Sequence, residues 1–497
     1  MIKSLLVLGG GNAGLMTALY QKTAISNIDI TLIKSNKIGT IGVGEGSTEH
    51  WKRFAQAVGI TLKDLFEECG ATIKIGIKFE NWHGDGTSYY HSLAEPYLWT
   101  DGYTGDAHTL MRLIADGTST EELHWDLPMQ GWLSPPFEDY YQFHFDSEKL
   151  NAYLLKRCIE AGIKVIDAEV VDTVLDQNGF VDYVVDSTNA KHHADFFIDS
   201  SGFKRVIASK LGAEWVDWSK YLPMNSAIAF QTPYEEKIPP YTLSKAMDAG
   251  WHWRSPVQDR FGNGYVFSDQ FISEDEAVNE IQKHFTDTIN IGRKINFVSG
   301  KVNKFWIKNC VSIGLSSNFV EPLEASSIST TIQQSRALAG SLATWDRNDT
   351  GTIKEYNKTF DDCLSNVLDF IQLHYFTQRN DTKFWQWCNN EITMTDFNKE
   401  NIEMFKTNFV NQVLLPEDGS HGSFRIYDCL NWIQVMHGLR MFDQKNIKKL
   451  YESRYSHYRT QDIQQLDQLP QTTTGGTWLT CRQAVDSIKG KGITYSL

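Results

Sequence analysis

The sequence predicts an α/β fold, and three observations predict it. The apolar run at residues 5–8 leads directly into Gly-Gly-Gly-Asn-Ala-Gly at residues 9–14, which precedes an apolar stretch typical of a helix. Residues 28–33 form a second apolar strand pattern. Beyond about residue 360 the pattern is mostly helical and rich in aromatic residues. We therefore expect a Rossmann-type dinucleotide-binding module at residues 1–360 and a mainly helical module at residues 361–497.

The first glycine-rich segment has the spacing that a dinucleotide requires. Gly9 permits a tight turn, Gly11 lets the backbone approach a pyrophosphate, and Gly14 lets the helix pack closely on the strand. The anion would lie at the N-terminus of that helix. The motif therefore supplies five candidate cofactor contacts: Gly9, Gly11, Asn12, Ala13 and Gly14.

A second glycine-rich loop at residues 42–48 precedes another helix, and two such loops suggest an extended cofactor. Its candidate contacts are Gly42, Val43, Gly44, Glu45, Gly46 and Ser47. An acidic residue normally ends the second strand and binds the ribose hydroxyls, but Lys34 stands at that position. Either Lys34 meets the phosphates or solvent, or the ribose is held by another group.

Composition and charge exclude several classes of partner. The 47 basic and 61 acidic residues leave a net charge of −14 without a basic block, which argues against nucleic acid. There is no run of eighteen apolar residues and no signal-peptide pattern, which argues against a membrane. The seven cysteines are scattered, and no HExxH motif occurs, so we expect reduced thiols and no metal site. These patterns predict a cytoplasmic protein.

The strand pattern at residues 73–82 contains two lysines, Lys74 and Lys78, and only Lys74 is considered for a catalytic role. In the strand predicted over residues 73–82, Lys74 and Lys78 share the face opposite Ile73 and Phe79, because side chains alternate along a strand. Periodicity alone predicts that both lysines are solvated. A role for Lys74 in catalysis therefore needs support from elsewhere in the sequence.

Two further segments carry candidate site residues. Trp251 and Trp253 lie two apart in an extended segment closed by Pro256, so they would form one aromatic wall, although ordinary core packing explains the same pattern. The helical pattern at 328–345 begins just after Ser326 and Ser327, where free backbone N–H groups would suit an anion. A serine that simply caps the helix is the alternative.

Seven separated segments, in order along nearly the whole chain, resemble the flavin-dependent halogenases of the tryptophan-halogenase type. They are GGGNAG (9–14), TIGVGEGST (40–48), IKIGIKFENW (73–82), GWHWRSP (250–256), FVEPLEASS (319–327), DFIQLHYFTQRNDTKFW (369–385) and NWIQVMHGL (431–439). The resemblance implies an FAD-binding monooxygenase-like fold whose helical module covers the substrate. It also implies that reduced FAD (FADH2), oxygen and a halide ion, chloride, bromide or iodide, give hypohalous acid.

The resemblance assigns roles to particular residues. Lys74 matches the lysine that delivers the activated halogen, and Glu324 matches the glutamate that polarises it or accepts the ring proton. Ser326 and Ser327 match the positions whose main chain binds halide, although Ala325 and Ser327 replace the serine and glycine of many relatives. The wall of Trp251, Trp253 and Pro256 would separate flavin from substrate, and Leu315 would contact the flavin.

The resemblance says less about the substrate. His91 aligns with a pocket histidine of the tryptophan enzymes, but Leu93 stands where an aromatic ring would stack. We therefore expect an indole or another small electron-rich aromatic, a separate flavin reductase as partner, and possible assembly as a homo-oligomer. Two alternatives are an aromatic hydroxylase that uses the same flavin and a non-catalytic flavin-binding redox protein.

Overall fold

The computed structural model describes nine segments of the chain, and the sequence predictions that fall elsewhere lie outside them. The predicted contacts outside the described residues are Gly42, Val43, Gly44 and Leu93. The described segments are 2–38, 45–48, 50–92, 103–117, 132–133, 142–408, 410, 424–455 and 479–491.

A mostly parallel sheet of six strands carries the amino-terminal glycine motif. The predicted strands at 5–8 and 28–33 are confirmed as Ser4–Leu8 and Asp29–Lys34, which pair in parallel. Their apolar residues are buried on both faces of the sheet: Leu5 clusters with Leu15 of the following helix, whereas Leu6 clusters with Val184 of the strand Val181–Asp186. In spatial order the strands are Trp306–Ile307, Cys310–Ser312, Phe196–Asp199, Ser4–Leu8, Asp29–Lys34 and Lys164–Asp167.

Three helices surround the beginning of this sheet. The helix Asn12–Ala24 packs against Ser147–Glu160 and against Ser326–Leu342. The hydroxyl oxygens of Thr17 and Ser335 lie 2.8 Å apart in a buried contact between the first and third of these helices. The glycine motif and the segment that precedes residue 326 are thus held side by side.

A second, mixed sheet of seven strands carries the predicted tryptophan wall. Its only parallel pair is Gly76–Glu80 beside Tyr241–Ala246, and every other neighbouring pair is antiparallel. In spatial order the strands are Ile291–Asn296, Ser226–Pro233, Arg260–Phe267, Gly250–Pro256, Tyr241–Ala246, Gly76–Glu80 and Ser88–Ser92.

The prediction of one continuous strand at residues 73–82 is wrong. Thr72–Lys74 belongs to a small sheet with Gln142–Phe145, whereas Gly76–Glu80 belongs to the seven-stranded sheet. Between them, the backbone N–H of Ile75 donates to the carbonyl of Pro240 at 2.7 Å. Because the chain changes sheets at Ile75, Lys74 and Lys78 do not share one strand face.

Four small sheets complete the β structure of the described residues. Glu45–Gly46 pairs with Gln142–Phe145 and thereby brings the end of the second glycine loop to the strand of Lys74. The remaining strands are Val170–Leu175, Val181–Asp186 and Lys191–His193 in one sheet, Trp215–Asp217, Gly300–Val302 and Asn318–Phe319 in another, and Trp132–Leu133 with Leu479–Thr480 in a third.

The described residues beyond about 360 are mostly helical, as the sequence predicts. The helix Thr350–Leu373 ends directly before His374 and Tyr375, which are both fully buried. None of the described helices is both long enough and apolar enough to cross a membrane. The other helices are His50–Val58, Leu62–Glu68, Tyr103–Asp116, Glu274–Gln282, Lys383–Asn390, Asp396–Phe405, Cys429–Gly438, Gln444–Leu450 and Cys481–Lys491.

Candidate active site

Gly9, Gly11 and Gly14 differ in the space that would be available to a side chain. Gly9 has φ +127°, and a Cβ there would lie 2.1 Å from the carbonyl oxygen of Ser200. A Cβ on Gly14 would lie 2.1 Å from the carbonyl oxygen of Gly9. A Cβ on Gly11, by contrast, would meet no atom of the described residues within 4 Å. The outer glycines are therefore required by protein packing, and Gly11 faces open space.

The start of the adjoining helix fits a pyrophosphate. Gly11 occupies the N-cap and provides no side-chain cap, and no acidic residue lies in the first turn of Asn12–Ala24. The first backbone N–H groups are therefore open to an anion. Asn151 supports the loop by donating to the carbonyl of Gly10 at 2.9 Å. A Cβ on Gly314 would lie 2.5 Å from the Cβ of Ala13, so the turn that contains Leu315 lies against this helix.

Lys34 lies across the same loop. A Cβ on Gly10 would be 2.5 Å from the Cβ of Lys34, so the lysine stem covers this glycine. The Lys34 amine donates to the side-chain oxygen of Asn36, and the NH2 group of Asn36 donates to Asp167 Oδ2. The amine thus bonds a protein side chain, which is not among the alternatives that the sequence left open.

Lys74 is fully buried, in contrast to the solvated position that periodicity predicts. Its Nζ donates to the carbonyl of Ser47 at 3.3 Å, and a Cβ on Gly46 would lie only 2.7 Å from that Nζ. The second glycine loop therefore packs directly on the amine. Lys78 remains half-buried and lies 3.6 Å from the carboxylate of Glu80. Lys74 and Lys78, which the strand pattern placed on one face, thus occupy different environments.

Glu324 is also fully buried, and two imidazoles hold its carboxylate. His91 Nδ1 lies 2.8 Å from Oε2, and His374 Nε2 lies 2.8 Å from Oε1. Burial raises the pKa of Glu324, but its interactions with His91 and His374 outweigh burial and lower the pKa to about 2. The carboxyl group is therefore ionised at neutral pH.

Glu321, three residues earlier, has the opposite protonation state. Tyr375 and Trp251 both donate to its Oε1, and its buried Oε2 has no partner among the described residues. Burial raises the pKa of Glu321 to about 8, against the lowering effect of these two hydrogen bonds. Two neighbouring glutamates in one short segment are thus driven to different charge states by their surroundings.

Trp251 and Trp253 lie side by side in the structure, and their role as a wall between flavin and substrate stays a prediction. Trp251 and Trp253 are buried with ring centroids 6.3 Å apart. Trp251 bonds Glu321 through its indole N–H. At the other end of the strand, the carbonyl of Pro256 accepts a hydrogen bond of 2.8 Å from the hydroxyl of Thr72, two residues before Lys74. Hydrogen bonds therefore connect the wall to the segments that carry Lys74 and Glu324.

Comparison with known proteins decides the family. The family model for tryptophan halogenase matches residues 4–453. This chain belongs to the tryptophan halogenase family. The predicted family and the predicted α/β fold are thereby confirmed.

Individual relatives of this tryptophan halogenase family member match most of its length. It is 31% identical to tryptophan 6-halogenase ThaL of Streptomyces albogriseolus, over 85% of this chain and 86% of that protein. It is 31% identical to tryptophan 7-halogenase RebH of Lentzea aerocolonigenes, over 88% of this chain and 89% of that protein. The structure of Xcc4156, a flavin-dependent halogenase from Xanthomonas campestris, matches at 25% identity with a TM-score of 0.84, covering 99% of this chain and 98% of that one.

The start of the helix Ser326–Leu342 in this halogenase family member differs from a simple serine cap. Ala325 occupies the N-cap in a left-handed conformation with φ +53°, and no side chain caps the helix. Ser326 is buried and Ser327 is exposed. The capping role considered for serine is therefore not found, and the first N–H groups of the helix lack side-chain acceptors.

Sequence reasoning missed several residues of this site. His374 and Tyr375 lie in the segment 369–385, and the sequence predicts a role for neither of them. In the structure they bond different glutamates. Asn431, in another quoted motif, contacts His91 Nε2 at 3.0 Å. The adjacent polar pair His-Tyr within the apolar segment DFIQLHYF was the available signal, because buried polar groups need partners.

Gly264 offers a direct test of the wall. A Cβ there would lie 1.8 Å from the far edge of the Trp253 ring, so Gly264→Ala must displace the indole. We expect a loss of about 1–3 kcal/mol in unfolding free energy from overpacking. We also expect a lower ratio of halogenated product to reduced flavin consumed, measured together by chromatography and absorbance.

Gly292→Ala is the matched control for this substitution. Its Cβ would meet only the carbonyl oxygen of Ala229 at 3.6 Å, an ordinary contact in the same sheet. We expect the control to retain the parent coupling ratio. Equal coupling in both variants would show that Trp253 does not separate the two reactants.

Proposed function

We propose that this protein is a flavin-dependent halogenase that transfers a halogen from hypohalous acid to an electron-rich aromatic substrate through Lys74 and Glu324. The observation that carries the proposal is a fully buried amine and a fully buried, ionised carboxylate in two segments that hydrogen bonds of Thr72 and Glu321 join to the strand of Trp251. Family membership supports this chemistry. The separation of cationic and anionic groups in an interior that excludes water suits a reactive oxidant.

The residues present fit FAD. The open space beside Gly11 and the uncapped start of Asn12–Ala24 would hold the pyrophosphate, with Gly9, Ala13 and Gly14 shaping the loop. Gly46, Ser47 and Leu315 would line the remainder of the cofactor. When bound, reduced FAD supplies, with oxygen, the oxidising power that converts halide to hypohalous acid.

Lys74 would hold the oxidised halogen. Its amine donates to the carbonyl of Ser47, and the backbone of Gly46 packs against it, so its position is fixed before any substrate enters. In that position the amine would donate a hydrogen bond to hypohalous acid, or, as the neutral amine, would take the halogen from it to give a haloamine, with the oxygen–halogen bond broken and water released. A preorganised donor of this kind orients the halogen toward one ring atom.

Glu324 would act on the aromatic ring. Its ionised carboxylate can polarise the oxidant or accept the proton that leaves the ring when halogen replaces hydrogen. Each carboxylate oxygen can accept more than one hydrogen bond, so the two histidine contacts leave capacity for a proton. The main chain at Ser326 and Ser327 would bind the halide ion at the uncapped helix start.

The proposed substrate is an indole or another small electron-rich aromatic, kept apart from the flavin by Trp251, Trp253 and Pro256. ThaL and RebH, two of the relatives named above, are tryptophan halogenases, and the aromatic surroundings of the site favour a planar ring. A separate flavin reductase would supply reduced cofactor. The seven cysteines are all buried and unpaired, which supports a reducing cytoplasm. Assembly as a homo-oligomer stays a prediction.

The decisive experiment combines the protein with a flavin reductase, oxygen, each of three halides and a panel of indoles and phenols, followed by mass spectrometry. Halogen-dependent mass shifts in an aromatic product are the expected result. Hydroxylated product that forms without halide would instead establish the alternative hydroxylase. Flavin binding without turnover of any compound in the panel would favour the non-catalytic alternative.

A further inference from the structure

The hydrogen bonds around His91 determine which of its nitrogens carries hydrogen. The side-chain oxygen of Asn431 accepts the backbone N–H of Asp428 at 2.8 Å, which orients the Asn431 amide. Its NH2 group therefore faces His91 Nε2 at 3.0 Å, and an NH2 group can only donate. His91 Nε2 must accept, so His91 is a neutral imidazole whose Nδ1–H donates to Glu324.

The corresponding bonds around His374 give a different answer. Its Nδ1 lies 3.0 Å from the carbonyl oxygen of Phe370, which can only accept, so Nδ1 carries a hydrogen. Its Nε2 lies 2.8 Å from Glu324 Oε1. A hydrogen bond at this distance requires a proton in addition to the one on Nδ1, either on Nε2 or on the carboxyl group. The cluster of His91, Glu324 and His374 therefore holds one proton more than two neutral imidazoles and a carboxylate.

The charge state of Glu324 places this proton. All three side chains are fully buried, and an ionised carboxylate without a cation in such a place is strongly disfavoured. Glu324 Oε2 also accepts the hydrogen bond from His91 Nδ1–H, which stabilises the ionised carboxylate, and an imidazole is ordinarily a stronger base than a carboxylate. The proton is then on His374 Nε2, and the two groups form a neutral imidazolium–carboxylate pair.

We propose that His374 is a positioning residue that supplies the counter-charge of Glu324 and fixes the plane of its carboxylate, while His91 contributes only a neutral hydrogen bond. Both histidines are held at their far nitrogens by groups that cannot accept a proton, Phe370 O and the Asn431 NH2. They therefore form a fixed clamp and do not relay protons. The catalytic consequence rests on the proposed role of Glu324, but the assignment of protons does not.

Other titratable groups near the cluster are uncharged in this arrangement. Tyr89 lies close enough that the charge of Glu324, together with burial, raises its pKa well above the ordinary value. Tyr375 follows His374 in the chain, and burial and Glu321 raise its pKa in the same way. Glu321 is itself protonated at neutral pH. His374 is therefore the cation that balances Glu324 among these groups.

Nuclear magnetic resonance of the full-length protein with ring-15N histidine tests the assignment without requiring activity. We expect two protonated nitrogens for His374, and one protonated and one unprotonated nitrogen for His91, throughout the neutral pH range. The signals are assigned by their loss in His374→Gln and His91→Gln. A neutral His374, or a doubly protonated His91, would overturn the proposal.

Kinetics of the same two variants test the consequence for the reaction. Glutamine at 374 keeps a donor toward Glu324 but no charge, so the acidic limb of the pH profile of kcat/KM should move upward by about two pH units. His91→Gln should leave that limb in place. An equal shift of the acidic limb in both variants would contradict the proposed difference between His374 and His91. Absence of halogenation by the parent protein would instead reject the proposed function and leave the resonance result standing.

Discussion

Lys74→Met is expected to reduce halogenation by about three orders of magnitude or more, while flavin still binds and reduced flavin is still oxidised. Lys74 is fully buried between the backbone of Gly46 and the carbonyl of Ser47. Methionine fills a similar volume and removes only the amine, so the oxidant would still form but would lose its fixed position. Product yield and flavin oxidation, followed in the same reaction, separate the two effects.

Lys78→Met provides the matched control. This lysine lies four residues further along, is half-buried and bonds mainly at the surface with Glu80. We expect its halogenation rate to remain within about twofold of the parent, since exposed ion pairs contribute little. A Lys74→Met variant as active as Lys78→Met would remove the amine from the mechanism.

Glu321→Gln is expected to stabilise the protein at neutral and alkaline pH and to leave stability unchanged under acid. In the folded protein burial raises the pKa of Glu321 from 4.5 to about 8, so the folded state keeps a proton that the unfolded state releases. Stability of the parent therefore falls by about 1.4 kcal/mol for each pH unit between these values. Glutamine does not titrate, so its advantage should reach about 3 kcal/mol near pH 7.

The local hydrogen bonds suit this replacement. Both donors, Tyr375 and Trp251, reach Oε1, and Oε2 has no partner among the described residues. The amide oxygen of glutamine can accept both bonds, and its NH2 takes the place of the protonated oxygen. Denaturant unfolding at pH 5 and pH 8 measures the difference. Parallel pH profiles of the unfolding free energy for Glu321→Gln and the parent would contradict this prediction. The variant Glu403→Gln, at an exposed side chain, controls for a general effect of removing one negative charge.

The sequence predicted those features that depend on local sterics. The spacing of Gly9, Gly11 and Gly14 predicted the turn at Gly9, the open space at Gly11 and the close packing of Gly14 on Gly9, because these features arise within one strand–turn–helix unit, whereas the contact of Gly9 with Ser200 was not predictable in this way. The helix after residue 325 and the paired tryptophans followed from periodicity in the same way. The roles assigned to the site residues stay proposals that the variants above would test.

Features that depend on distant contacts could not be predicted in this way. Alternation along residues 73–82 placed Lys74 in solvent, because nothing local reveals that Ile75 bonds Pro240 and that the chain changes sheets there. Likewise, Glu324 lies 233 residues from His91 and 50 from His374 along the chain. Partners so far apart in sequence meet only after the sheet and the helix Thr350–Leu373 have come together.

The hydrogen bond from Thr72 to Pro256 has a consequence for redesign. It joins the segment that carries the Lys74 amine to the strand that carries both indoles, so a change that shifts this strand at Pro256 is expected to shift the other segment as well. If the proposed roles hold, enlarging the substrate space at Trp253 by moving this strand would also displace the amine, and broader scope would come with poorer regiocontrol. Mutant libraries that vary position 72 together with the two indoles therefore have the better prospect of recovering both properties.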